Sequence, residues 1–252
     1  MYLSGINKAL YMKKYYFFTL MLLPMFSFAQ SNYKNGYVVT LKGDTLRGQV
    51  NYQEWGQNPK IIDFKTSSNA KVQQLGFDKI NGFGIDGLEL YQKYVVNASL
   101  DATDLAHASI NGADTISKTD TVFLRVLQTG KNVSLYAYND EIKERFYAKD
   151  NTMAAPQELV YRVYMADRDG VKTVVTKNTF RGQLIAIAAN ANIGGLTNEI
   201  QEANYTKPDL VKISANINGT IAKKGASEVR LFIGGNVGIS SLKYQNPVDA
   251  SQ

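Results

Sequence analysis

The chain has 252 residues, is 44% hydrophobic and 20% charged, and so has the balance of a folding domain rather than of a disordered segment. Its 28 Lys+Arg exceed its 22 Asp+Glu, but Lys8, Lys13 and Lys14 fall in a first 29 residues that hold no acid, leaving a near-even balance without the clustered basic face of a nucleic-acid binder. There is no cysteine, which excludes disulfides, thiolate metal sites, cysteine nucleophiles and a lipid-bearing cysteine, and leaves the compartment open.

The first predicted element is a leader. Met12 is the expected initiator, Lys13 and Lys14 form a basic start, and Tyr15 to Phe26 are apolar. Ser27-Phe28-Ala29 places small residues at −3 and −1, so cleavage is expected between Ala29 and Gln30. An uncleaved membrane anchor is the alternative, disfavoured because the apolar stretch is short for a span.

After Gln30 the chain reads as short strands between turn signals. "YVVTL" and "TLRGQVNY" flank Lys42-Gly43-Asp44, a hairpin signal. "KIIDFKT", "KVQQLGF" and "LELYQKYVV" follow. "VFLRVLQ" and "VSLYAYN" flank Thr129-Gly130-Lys131-Asn132, then come "RFYAK", "LVYRVYM", the turn Asp167-Arg168-Asp169-Gly170 and "VKTVV". The 16 Tyr and 11 Phe suit strands. The spacing predicts an antiparallel β module over 30–178, interrupted by a polar, exposed insert over 97–121.

The period changes after Lys177. Phe180, Leu184, Ile185 and Ala188 share a helical face, Leu196 to Gln201 reads as a second short helix, and Lys207-Pro208 opens a third. Residues 211–217 fit either period, because Val211, Ile213, Ala215 and Ile217 also alternate with polar residues. A helical segment is expected over 179–220. Within 225–252, Val229 to Ile239 alternates over eleven residues, about the length of a tilted membrane-crossing strand. One strand cannot cross alone, since its edges would carry unpaired backbone into lipid. The expectation is the first strand of an outer-membrane β-barrel, incomplete at Gln252. The fold class is thus mainly β (β+α).

The stretches "YKNGYVVTLKGDTLRGQVNY", "VFLRVLQTGKNVSLYAY" and "FRGQLIAIA" with "YTKPDLVKISANIN" resemble an uncharacterised class of exported Gram-negative proteins. That class has a β-rich N-terminal module, a small helical segment and a C-terminal, porin-like outer-membrane barrel. The resemblance spans nearly all of the mature chain and brings no catalytic residues. It implies a helix over 208–217, before the first barrel strand.

Site motifs are few. "GFGIDG", Gly82 to Gly87, spells a dinucleotide fingerprint but precedes a strand rather than a helix, so a turn is expected. His107 is the single histidine, lies in the insert beside Asp101 and Asp104, and reads as a solvated loop residue. Asp167 and Asp169 suit a tight turn better than calcium. Asp44-Thr45-Leu46, Asp114-Thr115-Ile116 and Asp120-Thr121-Val122 resemble a short O-glycosylation acceptor of exported proteins, with Thr115 and Thr121 the candidates. Trp55, Tyr91, Tyr94, Tyr136 and Tyr138 are read as core. No catalytic, cofactor or metal residue is assigned, and no cofactor is expected.

The expected function is a non-enzymatic outer-membrane protein. Its partners are outer-membrane lipid and another envelope protein or a glycan, with no nucleic acid. The alternative is a soluble periplasmic or secreted module binding a glycan or protein, without a barrel.

Overall fold

The computed structural model describes residues 32–220. The leader, the Ala29/Gln30 junction and the expected strand Val229–Ile239 lie outside the described residues. From Lys34 onward the described residues fall in one compact unit.

The unit is mainly β. Ten strands form one antiparallel sheet: β1 (Tyr33–Thr40), β2 (Thr45–Asn51), β3 (Ile61–Lys65), β4 (Gln73–Gly76), β5 (Ile80–Ile85), β6 (Glu89–Ser99), β7 (Ser117–Gln128), β8 (Val133–Asn139), β9 (Glu144–Asp150) and β10 (Gln157–Glu158). Their order is β10-β9-β8-β7-β6-β5-β1-β2-β3-β4. A separate ribbon pairs β11 (Arg162–Arg168) with β12 (Val171–Lys177). The helices are α1 (Thr179–Asn190), α2 (Thr197–Glu202) and α3 (Lys207–Ile217). No helix among the described residues is long and apolar enough to cross a membrane.

The turns follow their chemistry. Gly43 sits at φ +91° between β1 and β2, where a side chain would be strained. Asp169 and Gly170 both have positive φ, the pattern of a two-residue primed hairpin, and the Asp167 carboxylate accepts the Gly170 N–H at 2.8 Å. The glycines of "GFGIDG" behave otherwise. Gly82 and Gly84 lie inside β5, not in a turn, which corrects the expectation for all but the Asp86-Gly87 end. The Tyr37 ring of β1 occupies the space of a Gly84 side chain, with its atoms 2.6 Å from where a Cβ would stand.

Chain connectivity forces the sheet to curl. β4 and β5 are four strand intervals apart in the order, about 19 Å if the sheet were flat. Yet a tight turn joins them, with the Lys79 N–H bonded to the Gly76 carbonyl at 3.1 Å. The first five strands therefore wrap around Val38, Val50, Ile62, Phe64, Leu75 and Phe83. A second core, on the other face of the sheet, holds Tyr37, Leu90, Val122, Leu124, Tyr136 and Tyr147. Among the aromatic residues read as core, Tyr91, Tyr136 and Tyr138 are buried, while Trp55 and Tyr94 are half-buried.

The helices cover one face of β8 and β9. Phe180, Leu184, Ile187 and Ala188 of α1 pack with Leu135, Phe146, Ile200, Leu210, Ile213 and Ile217. Ile187, not Ile185, completes the buried stripe, and Ile185 stays half-buried. Packing also resolves the ambiguous 211–217: Leu210, Ile213 and Ile217 are spaced to share a helical face against β8. The end of α3 is pinned by Asn218. Its Oδ1 accepts the N–H groups of Asn132 (2.9 Å) and Val133 (3.0 Å), and its Nδ2 donates to the Val133 carbonyl at 2.9 Å.

Candidate functional site: a clamped insert and its cleft

The insert is shorter than its polarity suggests. β6 runs to Ser99 and β7 starts at Ser117, so the irregular stretch is 100–116 rather than 97–121. Asn97 pairs with Thr119 and Ser99 with Ser117, extending the ladder through polar residues. Backbone pairing needs no apolar side chain, and the strand ends are held from below. Glu158 of β10 accepts the Ser99 N–H at 2.8 Å and its hydroxyl, while the Arg145 Nε donates to the Ser99 carbonyl at 2.8 Å.

Beneath the insert lies a buried ionic group. Asp101 is 5% exposed; its Oδ1 is 3.2 Å from the Lys143 Nζ and 3.8 Å from the Arg162 Nε. Neither carboxylate oxygen has an aligned hydrogen bond. Burial lowers the Lys143 ammonium below its ordinary value, and Asp101 opposes that shift. Arg145, fully buried, binds Asp140 at 2.9 Å and the Lys143 carbonyl at 3.1 Å. Burial alone would raise the Asp140 carboxyl. The Arg145 hydrogen bond and the amides of Ile142 and Lys143 outweigh it and hold the carboxyl below the usual range.

Above this floor the insert lies along β11. The Met165 N–H donates to the Ser109 carbonyl at 2.7 Å, and the Gly112 N–H to the Met165 carbonyl at 3.0 Å. Lys172 caps the Ile110 carbonyl at 2.9 Å. Between insert and β11 opens a cleft of about 200 Å³, lined among others by Asp101, His107, Ser109, Asp114, Arg162 and Tyr164. That volume suits a group of sugar or amino-acid size, below the range of drug-sized pockets. It offers a carboxylate, a hydroxyl, an imidazole, a guanidinium and a phenol ring, which is a hydrogen-bonding wall for a polar ligand.

His107 is exposed, with its Nδ1 2.8 Å from the Asp104 Oδ1. That hydrogen bond is the main reason the Asp104 carboxyl is lowered. Asp114 binds the Ile116 N–H at 2.9 Å and holds the backbone around Thr115. Thr115 is exposed in the insert, whereas Thr121 is half-buried within β7 and Thr45 is exposed at the start of β2. Asp167 and Asp169 serve the β11–β12 turn. Among the described residues, no group of three or more His, Cys, Asp or Glu is placed to hold a metal ion.

The ionic floor had only a faint signal in the sequence. Arg145, Tyr147 and Lys149 alternate with Phe146 and Ala148, which reads as a solvent-facing row. The end of β6 covers two of the three, with the Ser99 carbonyl accepting from Arg145 and the Asn97 carbonyl from the Tyr147 hydroxyl, while Lys149 stays half-buried. No family model, no curated protein and no solved structure matches the chain.

Proposed function

We propose that this chain is an exported, non-enzymatic outer-membrane protein whose β module binds another component of the cell envelope. The leader-like sequence ending at Ala29 and the eleven-residue apolar/polar alternation from Val229 to Ile239 support export and a barrel anchor. The observation that carries the binding reading is the clamped insert. A segment without regular structure is tied at its base by Asp101 between Lys143 and Arg162, and along its length to β11. Its cleft is therefore preformed, as recognition loops on a rigid scaffold are.

The ligand class that fits the cleft is a small polar group of a cell-wall saccharide or peptide. The test is NMR titration of the protein with soluble cell-wall fragments. Shifts centred on Ser109, Asp114 and Tyr164, lost in a His107→Ala/Asp114→Ala double variant, are expected. Shifts centred on β1–β4 would place binding elsewhere. Fractionation tests the anchor: recovery with the detergent-resistant outer membrane is expected, and recovery as free periplasmic protein would overturn it.

A further inference from the structure

The β11–β12 ribbon has a feature that the cleft does not use. Met165 sends its N–H and carbonyl away from β12, to Ser109 and Gly112. Its direct partner Val174 therefore sends its own groups away from β11, since the two form a non-hydrogen-bonded pair. The alternation extends this to Lys172 and Thr176. Among the described residues, these three carry no backbone hydrogen bond and β12 has no strand on that side. Val174 is 47% exposed and Val171 65%, so both faces of the strand are open as well as its edge.

The edge also has a sign. β12 carries Lys172 and Lys177 and no acid; Asp167 of β11 stands directly across from Lys172 but is engaged by the Gly170 amide, while the Lys172 Nζ rests on the neutral Ile110 carbonyl and makes no ion pair among the described residues. We propose that β12 is an acceptor edge for an acidic, extended polypeptide segment of a partner protein, which adds as a further strand. Its backbone bonds to Lys172, Val174 and Thr176, its carboxylates lie beside Lys172 and Lys177, and an apolar side chain continues the Met165–Val174 row.

A lysine-bearing edge can also be a guard against pairing, and the experiment separates the two roles. The probe is a synthetic peptide, Glu-Thr-Thr-Val-Thr-Glu, which in antiparallel register sets its two Glu opposite Lys177 and Lys172 and its Val opposite Val174, N-methylated on every second residue so that it presents one bonding edge. It is added to the full chain, and amide exchange is followed by NMR. Protection is expected at Lys172, Val174 and Thr176, with Val171, Thr173 and Val175 unchanged. A Val174→Pro variant removes one outward donor without touching the β11 ladder and should abolish that protection. Lys172→Ser/Lys177→Ser should weaken binding by on the order of ten-fold. Three results overturn the proposal: equal binding of the same peptide with Lys in place of both Glu; unchanged affinity but new self-association in the double Ser variant, the signature of a guard; and protection of the three amides by protein concentration alone, which would make a second copy the occupant.

Discussion

Replacing Asn218 with alanine probes how the end of α3 is held to the sheet. The substitution removes one acceptor of two N–H groups and one donor to a carbonyl. Val133 is 1% exposed, so its N–H and carbonyl would be left without a partner in a dry site. Asn132 is half-exposed and recovers water for its amide. Each stranded buried group costs about 1–3 kcal/mol. Two such groups, relieved in part by local relaxation, give a loss of about 2–4 kcal/mol. At a urea dependence of about 1–3 kcal/mol per M, the midpoint should fall by about 1–2 M. Far-UV circular dichroism in urea reads this directly, and amide exchange should accelerate first at Asn132 and Val133. Asn218→Asp keeps both acceptor contacts but turns a carboxylate oxygen toward the Val133 carbonyl, so it should be at least as damaging. Gly130 is expected to be equally intolerant, because an added Cβ would overlap the Asn218 amide. If Asn218→Ala lies within about 0.5 kcal/mol of the parent, as an ordinary surface change would, the pinning role assigned to Asn218 is wrong.

Breaking the ionic floor with Asp101→Asn leaves Lys143 buried without its carboxylate, so a loss of about 3 kcal/mol is expected in thermal melts. Adding Lys143→Met should return part of it, and no recovery would mean that the ion pair is not what matters there. Burial raises the Tyr37 phenol to about 12 and pushes Tyr91, Tyr136, Tyr147 and Tyr205 upward as well. Groups raised above the unfolded value near 10 stabilise fully below about pH 10 and lose that contribution as pH rises. Lys143, shifted down by burial, works the other way as a single group. The tyrosinate absorbance of these five residues should therefore appear together with loss of the β signal, and their ionisation within an intact fold would refute the burial assignment. Gly84→Ala places a methyl against the Tyr37 ring and should cost about 1–3 kcal/mol, partly recovered by Tyr37→Leu. Intact-mass measurement of the exported protein should find Gln30 at the N-terminus and any glycan on Thr115 rather than Thr121; a retained 12–29 segment would refute the leader.

Much of the strand order was legible because turn chemistry is local. Gly43, Gly130 and the Asp169-Gly170 pair each sit between strands, and the 3.6 period of Phe180, Leu184 and Ala188 marked α1. What stayed hidden depends on contacts distant in sequence. Gly82 and Gly84 looked like turn residues because nothing local says that the Tyr37 ring of β1 needs the space at Gly84 or that the Tyr91 carbonyl of β6 crowds Gly82. Asn97–Ser99 and Ser117–Thr121 looked like loop because polar strands read as loop until a neighbour supplies the ladder. Asp101 drew notice only as a neighbour of His107. Its real partners, Lys143 and Arg162, lie far along the chain, and no spacing rule links them.

The β1–β5 pairing has a consequence for how the chain reaches its native state. Every other neighbour in the large sheet is also a neighbour in sequence, so strands 1–4 and strands 5–10 are each simple meanders of local contacts. Only one seam, Gly36–Thr40 against Ile80–Ile85, joins them. A chain synthesised amino end first delivers β1 through β4 before the strand that closes their curl. The first meander must wait with Val38 and Phe64 uncovered until β5 arrives, and the second can assemble behind it. The seam is thus the late, cooperative step, and the place where a stalled chain would be most open to chaperones or to a wrong partner.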